Sequence, residues 1–78
     1  MSKRQLELLG TQGCHLCDLA EALIASCLDL SQVEVELIDI AQTDDLIARY
    51  GIKIPVLRCP KSQTELCWPF DELAVKAF

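Results

Sequence analysis

The sequence predicts a single α/β domain spanning residues 1–78, with the element order β-α-β-α-β-β-α. Its 78 residues, 51% of them hydrophobic, suffice for one hydrophobic core but not for two. Short β-rich runs alternate with segments whose apolar residues recur every three or four positions. A helical crossover makes the first two strands parallel, and a short turn makes the last two antiparallel. We therefore expect a four-stranded mixed sheet with helices on both of its faces.

The first three elements carry the clearest patterns. Residues 5–10 form a short apolar run that ends in a polar, glycine-containing turn, which indicates a strand. A helix is predicted from Leu16, with Asp18 and Glu21 in its opening turns, where the helix dipole favours carboxylates. Its buried face has three-four spacing and comprises Leu16, Leu19, Ala20, Leu23, Ile24, Cys27 and Leu28. Residues 33–39 alternate apolar and acidic side chains, which is typical of a strand near the edge of a sheet.

A second, shorter helix and a third strand follow. Thr43 is a suitable N-cap for a helix that ends at Tyr50, and Gly51 stands where a left-handed C-terminal cap is usual. Residues 52–57 are β-rich but include Pro55, which belongs at the start, edge or irregular part of a strand.

The chain ends in a predicted hairpin and a last helix. Residues 60–63 are typical of a turn, and residues 64–68 form the predicted fourth strand. Pro69 suits the first turn of a helix, and we expect Phe70 and Leu73 on the inward side of that helix.

Charge and hydropathy exclude several classes of partner. Seven basic and twelve acidic side chains give a net charge of −5, the wrong sign for a protein that neutralises a nucleic-acid backbone. No stretch approaches the roughly 20 apolar residues of a transmembrane helix, so no membrane partner is expected. The first residues lack the unbroken apolar run of a signal peptide, which favours a cytoplasmic location.

The five cysteines are the most informative feature of the composition. Their odd number and their modest density argue against a disulfide scaffold, and cytoplasmic thiols are kept reduced. Cys27, Cys59 and Cys67 are expected to be packing residues. Cys14 and Cys17 are spaced Cys-x-x-Cys at a strand-to-helix junction, a pattern that fits catalysis, redox sensing or metal binding.

The position of this pair predicts different roles for its two thiols in disulfide exchange. A thiolate at a helix N-terminus is stabilised by unpaired backbone N–H groups and by the helix dipole, so Cys14 is the predicted nucleophile. Cys17 lies one helical turn later on the same side and is the predicted resolving thiol. His15 lies between them, where an imidazolium would stabilise the thiolate; the alternative is an exposed spacer residue.

Three motifs occur together in this chain: residues 13–17 (GCHLC), 50–56 (YGIKIPV) and 66–71 (LCWPFD). In these motifs the sequence resembles the thioredoxin superfamily, and more narrowly its small bacterial glutaredoxin-like proteins. The resemblance covers nearly the whole chain. It implies a thioredoxin/glutaredoxin fold and a cis Ile54–Pro55 bond facing the cysteine pair. It also implies that the backbone of Ile54 pairs with substrate. The implied activity is that of a thiol-disulfide oxidoreductase or electron carrier that works through mixed disulfides.

The motifs differ from those of typical glutaredoxins. Those proteins usually carry Cys-Pro-Tyr-Cys, a lysine shortly before it and a Gly-Gly pair followed by Asp. Here Thr11 and Gln12 replace the lysine and Trp68-Pro69 replace the glycines, although Asp71 fits the pattern. Glutathione is therefore only a candidate co-substrate. No organic cofactor is expected. The expected partner is a protein disulfide or a low-molecular-weight thiol, and the expected state is a monomer.

Two alternatives remain open from the sequence. Cys14 and Cys17 would form half of a zinc site, with His15, Cys59 or Cys67 as further ligands, or would bind a bridged iron–sulfur cluster. No second Cys-x-x-Cys or His-x-x-x-His pair supports a metal site, and our prediction is that none is present. The other alternative is a non-catalytic interaction module that keeps the fold and the motif, since fold alone does not establish function.

Overall fold

The computed structural model describes residues 4–78, which form one α/β domain. Four strands and three helices alternate in the predicted order β-α-β-α-β-β-α, with one short 3₁₀ turn at Ile40–Gln42 that the sequence analysis did not predict. The elements are β1 (Arg4–Gly10), α1 (His15–Cys27), β2 (Val33–Asp39), α2 (Asp44–Tyr50), β3 (Val56–Cys59), β4 (Thr64–Cys67) and α3 (Glu72–Ala77).

The strands form one mixed sheet in the order β2-β1-β3-β4. β1 and β2 are parallel, with Leu8 opposite Leu37, whereas β3 is antiparallel to β1, with Leu9 opposite Val56. β3 and β4 form the predicted antiparallel hairpin. The predicted mixed sheet is therefore confirmed, and β2 lies at its edge as its alternating pattern indicated.

Both faces of the sheet are covered, because successive strand residues point in opposite directions. On one face Leu8 and Leu57 pack in a cluster with Ala20 and Ile24 of α1 and Val75 of α3. On the other face a smaller cluster contains Leu9, Ile40, Tyr50 and Val56. The first core therefore lies under α1 and α3, and the second lies under α2 and the 3₁₀ turn.

The start of the last helix differs from the prediction. α3 begins at Glu72 rather than Pro69, because the Asp71 carboxylate caps it by accepting a hydrogen bond from the Ala74 N–H at 2.8 Å. Leu73 is consequently 78% exposed instead of facing the core, although Phe70 is buried as predicted.

The end of α2 also differs from the prediction. The helix ends at Tyr50 as expected, but Gly51 is right-handed (φ −53°, ψ −32°) instead of left-handed. Glycine is favoured there for a different reason: a Cβ would lie only 2.6 Å from the carbonyl oxygen of Ile47.

The helices are short, and α1 has 13 residues. Among residues 4–78, none of them combines the length and the apolarity that a membrane span requires.

Candidate thiol site at the start of the first helix

Cys14 is the N-cap of α1. Its backbone is extended (φ −86°, ψ 107°), and its sulfur accepts a hydrogen bond from the backbone N–H of Cys17 at 3.3 Å. The first N–H groups of a helix have no partner within the helix, so the sulfur takes the place that a serine or aspartate oxygen usually occupies. The Cys14 side chain is also half-buried, which leaves it accessible. This arrangement directs a helix N–H at the Cys14 sulfur and leaves the sulfur within reach of another thiol or disulfide.

Cys17 is the buried member of the pair. Burial is the largest cause that raises the pKa of its thiol to about 11, and its hydrogen bond to the Cys14 sulfur is the second. A backbone hydrogen bond at Thr11 acts in the opposite direction. Both cysteines are reduced in this structure. The site therefore contains one accessible thiol at the helix N-cap and one buried thiol that holds its proton.

The end of β1 and the turn after it bring the two sulfurs to this position. Gly13 has a φ of +77°, a backbone conformation that L side chains rarely adopt, and it turns the chain into the helix. A Cβ at Gly10 would lie 2.9 Å from the Cys17 sulfur. Glycine at position 10 therefore leaves the space that the Cys17 sulfur occupies.

The Ile54–Pro55 bond lies at the same end of the sheet as the cysteines. Because Leu9 is opposite Val56, the antiparallel register places Pro55 across from Gly10. The Ile54–Pro55 peptide bond is cis, and Pro55 is fully buried. The Pro55 carbonyl accepts a hydrogen bond from the Trp68 N–H at 3.1 Å, which ties this loop to the end of β4.

The backbone of Ile54 is only partly available for a substrate. Its N–H donates to the carbonyl of Tyr50 at 3.1 Å, and the N–H of Lys53 donates to the same carbonyl at 2.8 Å. The Ile54 N–H is thus already paired within the chain, because the loop folds back to satisfy the last carbonyls of α2. Among residues 4–78 no backbone N–H donates to the Ile54 carbonyl, and the pairing of this group with substrate stays a prediction.

A polar network on the α2 face holds the base of this loop, and the sequence analysis did not identify it. Arg58 donates from Nε and Nη2 to one carboxylate oxygen of Glu7, at 2.8 and 2.6 Å, and from Nη1 to the Tyr50 hydroxyl at 3.3 Å. The Tyr50 hydroxyl in turn donates to Glu65. Arg58 and Glu65 thus hold Tyr50 directly, and Glu7 holds it through Arg58. The Tyr50 carbonyl accepts the hydrogen bonds of the loop before Pro55. The sequence signal was an arginine and two glutamates on neighbouring strands, visible only once the register is known.

The other predicted site residues fall in three places. His15 is exposed and is the first residue of α1. Cys67 is exposed and lies opposite Val56, at the cysteine end of the sheet. Cys59 is buried at the far end of β3, so the structure does not bring it to Cys14 and Cys17.

A metal centre built from these residues lacks ligands. Nowhere in residues 4–78 do three side chains of His, Cys, Asp or Glu come close enough together to hold one ion. Cys59 is separated from the Cys14–Cys17 pair by the length of β3, which removes one of the three further ligands that the zinc alternative offered.

The loop between β4 and α3, residues 68–71, contains no glycine, unlike the Gly-Gly loop of typical glutaredoxins. The Trp68–Pro69 bond is cis, and the rings of Trp68 and Phe70 pack edge to face with centroids 5.1 Å apart. Trp68 is half-buried against the core under α1 and α3, and Phe70 belongs to that core. Both aromatic residues are therefore core or rim residues of this loop, and the inward position predicted for Phe70 is observed.

The fold and the position of the cysteine pair define a thioredoxin-like protein. Residues 5–78 match the family model described as Glutaredoxin-like domain (DUF836), and the chain belongs to this family. No curated protein matches the sequence.

Two solved structures of bacterial proteins are similar over almost their whole length. The crystal structure of the protein XcR50 from X. campestris is 35% identical, with a TM-score of 0.81 over 92% of this chain and 91% of that one. The solution structure of the protein Ne2328 from Nitrosomonas europaea is 31% identical, with a TM-score of 0.80 over 99% of this chain and 92% of that one. Both support the thioredoxin-like fold and the glutaredoxin-like family.

Proposed function

We propose that the protein is a thiol-disulfide oxidoreductase or electron carrier that works through Cys14 and Cys17. The observation that carries the proposal is the hydrogen bond from the helix N-terminus to the Cys14 sulfur, since the thiolate is the reactive form in disulfide exchange. Membership in a glutaredoxin-like family supports the same chemistry. The Ile54–Pro55 loop supplies one backbone carbonyl beside the pair for an extended substrate segment.

The proposed reaction passes two electrons in two exchanges. The Cys14 thiolate attacks one sulfur of a substrate disulfide, forms a mixed disulfide with it and expels the other sulfur as a thiolate, which takes up a proton. The Cys17 thiol then loses its proton and attacks the Cys14 sulfur. This step forms the Cys14–Cys17 disulfide and releases the second substrate thiolate. A low-molecular-weight thiol or a protein dithiol returns the pair to the reduced state.

The environment of Cys17 explains how the second step follows the first. Burial and the contact with the Cys14 sulfur together raise the pKa of Cys17 to about 11. Once Cys14 carries the mixed disulfide, its sulfur has no negative charge and no longer raises the pKa of Cys17. Formation of the mixed disulfide therefore makes Cys17 easier to deprotonate. His15, exposed beside the pair, is proposed to stabilise the Cys14 thiolate when protonated.

The proposal also covers the partners, the cellular location and the oligomeric state of the protein. The substrate is a protein disulfide or a low-molecular-weight thiol, with glutathione as a candidate co-substrate and no organic cofactor. Five unpaired cysteines suit the reducing cytoplasm, and a net charge of −5 argues against a nucleic-acid partner. We expect the protein to act as a monomer.

The proposal is tested by the reduction of insulin disulfides with dithiothreitol as the electron source. The parent protein is expected to accelerate the reaction, and C14S is expected to reduce the rate to that of dithiothreitol alone. C67S is the matched control, because it removes an exposed thiol from the same end of the sheet without changing α1. Equal rates for the parent and C14S would overturn the proposal and favour the interaction-module alternative.

A further inference from the structure

A groove runs between α1 and β2, on the side of the molecule away from β3. It has two adjoining parts of about 340 and 350 Å³, which share Leu8, Glu21 and Leu37 as walls. One part has a mainly apolar floor that includes Ile24 and Val35. The other part reaches the thiol site at Gly10 and Cys17. The groove is therefore continuous with the candidate redox centre but lies on the other side of it from Pro55.

The charged side chains along this groove are all acidic. No lysine, arginine or histidine is among its lining residues, whereas four acidic residues are: Asp18, Glu21, Glu34 and Asp39. Within residues 4–78 none of the four forms a salt bridge, in contrast to the pairs Arg58–Glu7, Arg49–Asp45 and Lys76–Glu72 elsewhere. The groove thus concentrates negative charge that the described chain does not neutralise.

Apolar side chains beside these carboxylates are open to solvent. Leu37 is 59% exposed and Leu30 is 50% exposed, although both lie against the groove. β2 is the edge strand of the sheet, and among the described residues no further strand covers it. Apolar surface beside a polar rim is typical of a protein-protein contact.

We propose that this groove binds a basic, apolar segment of a partner protein and holds it next to Cys17. The proposal rests on the proposed function, since the segment belongs to the protein that exchanges its disulfide with Cys14. Its apolar side chains pack on Leu37 and the floor, and its lysine or arginine side chains pair with Glu21 and its acidic neighbours. Complementary charge speeds the encounter and selects the partner.

The same charge distribution disfavours two other occupants. A second copy of this chain would bring two acidic surfaces together, which costs free energy. Glutathione carries net negative charge at neutral pH, so the groove repels it. A basic protein segment satisfies both the charge and the apolar floor.

Binding is measured with C14S/C17S protein, which cannot exchange disulfides, so that loss of docking and loss of redox activity are distinguishable. The probe is a short fluorescein-labelled peptide that alternates lysine with leucine, and its binding is followed by fluorescence anisotropy. Two control peptides replace every lysine by glutamine or by glutamate. We expect the lysine peptide to bind, more weakly as salt increases, and the glutamate peptide not to bind.

Matched variants locate the binding surface. Within the C14S/C17S background, E21Q is expected to weaken binding of the lysine peptide roughly two- to fivefold, as for loss of one exposed ion pair. E36Q removes the same charge from β2 at an exposed position that does not line the groove, and it should leave the affinity unchanged. L37S should also weaken binding, whereas I52S, at a side chain that is 99% exposed elsewhere, should not.

The location is checked independently by amide chemical shifts in the same samples. We expect the peptide to shift the amides of β2 and of the neighbouring face of α1, with little change in β4. Equal weakening by E21Q and E36Q, or shifts centred on another face, would overturn the proposal. So would equal binding of the lysine and glutamine peptides, or self-association of the protein through this groove.

Discussion

The sulfur of Cys14 accepts a hydrogen bond from the backbone N–H of Cys17, the residue whose own sulfur is proposed to complete the disulfide. The helix thus directs the amide of the proposed resolving residue at the sulfur of the proposed nucleophile. The two thiols are made unequal by one arrangement, since Cys14 caps the helix at a half-buried position and Cys17 is buried behind it. The proposed order of action rests on this asymmetry.

The first prediction concerns trapping of the intermediate. In C17S, Cys14 remains able to attack glutathione disulfide but no thiol is placed to resolve the product, so a mixed disulfide at Cys14 should accumulate. In C14S this adduct should be absent from position 17, because the remaining thiol is buried, and burial is the largest cause that raises its pKa. Intact-protein mass spectrometry followed by peptide mapping measures both results. Preferential modification of Cys17 in C14S would reverse the assigned roles.

The second prediction concerns Gly10. G10A places a methyl group 2.9 Å from the Cys17 sulfur, which must move aside. A displacement of this size is expected to slow the attack of Cys17 on the mixed disulfide by roughly 10- to 100-fold, as for other small misplacements of a reacting group. Rapid-quench measurements separate the two exchanges. In the C17S background, G10A should leave the first step unchanged, and an equal slowing of both steps would indicate a general disturbance of the loop.

The third prediction concerns the polar network at Tyr50. R58M leaves the Glu7 carboxylate, whose side chain is 18% exposed, without its ion pair, and is expected to lower the free energy of unfolding by about 2 kcal/mol. R49M removes an exposed pair with Asp45 and should change it by less than about 0.5 kcal/mol. Urea denaturation measures both variants. Similar small effects would mean that the network does not hold the base of the loop.

The fourth prediction concerns the pH dependence of stability through Cys59. The Ser62 hydroxyl and then the Ser62 backbone amide favour the Cys59 thiolate and lower its pKa from 9.0 to about 7. A pKa that is lower in the folded state contributes stability above the unfolded-state pKa and loses it as pH falls through the folded-state pKa. The free energy of unfolding should therefore rise between about pH 7 and pH 9.

This contribution is isolated with C59S. The variant is expected to be less stable throughout and to lack the part of the rise that belongs to Cys59. Urea midpoints of both proteins are compared from pH 6 to pH 9 with a reductant present, below the range in which Cys17 titrates. Parallel pH profiles for the two proteins would contradict the assignment.

The sequence predicted the fold well because its periodic patterns are local. The alternating residues of Val33–Asp39, the three-four spacing of α1 and the Thr43 cap each depend on neighbours within a few positions. The start of α3 was predicted wrongly, because Pro69 and Asp71 both suit a helix start and the capping carboxylate of Asp71 prevailed.

Features that depend on register were beyond the sequence. Pairing of Glu7 with Arg58 follows from the antiparallel alignment of β1 and β3, which no local pattern encodes. The hydrogen bond of the Ile54 N–H depends in the same way on how the loop folds back on α2. The acidic groove could not be predicted either, because its position depends on which face of β2 remains open beside α1.

The central claim is tested most directly by an equilibrium titration of the reduced protein against glutathione buffers of increasing oxidation, with each disulfide mapped by mass spectrometry. The account predicts one reversible two-electron transition, in which Cys14 and Cys17 join while Cys27, Cys59 and Cys67 remain thiols. C27S should give the same transition, because Cys27 lies at the other end of α1. A pair that stays reduced across the series, or a disulfide that joins other cysteines, would contradict the account.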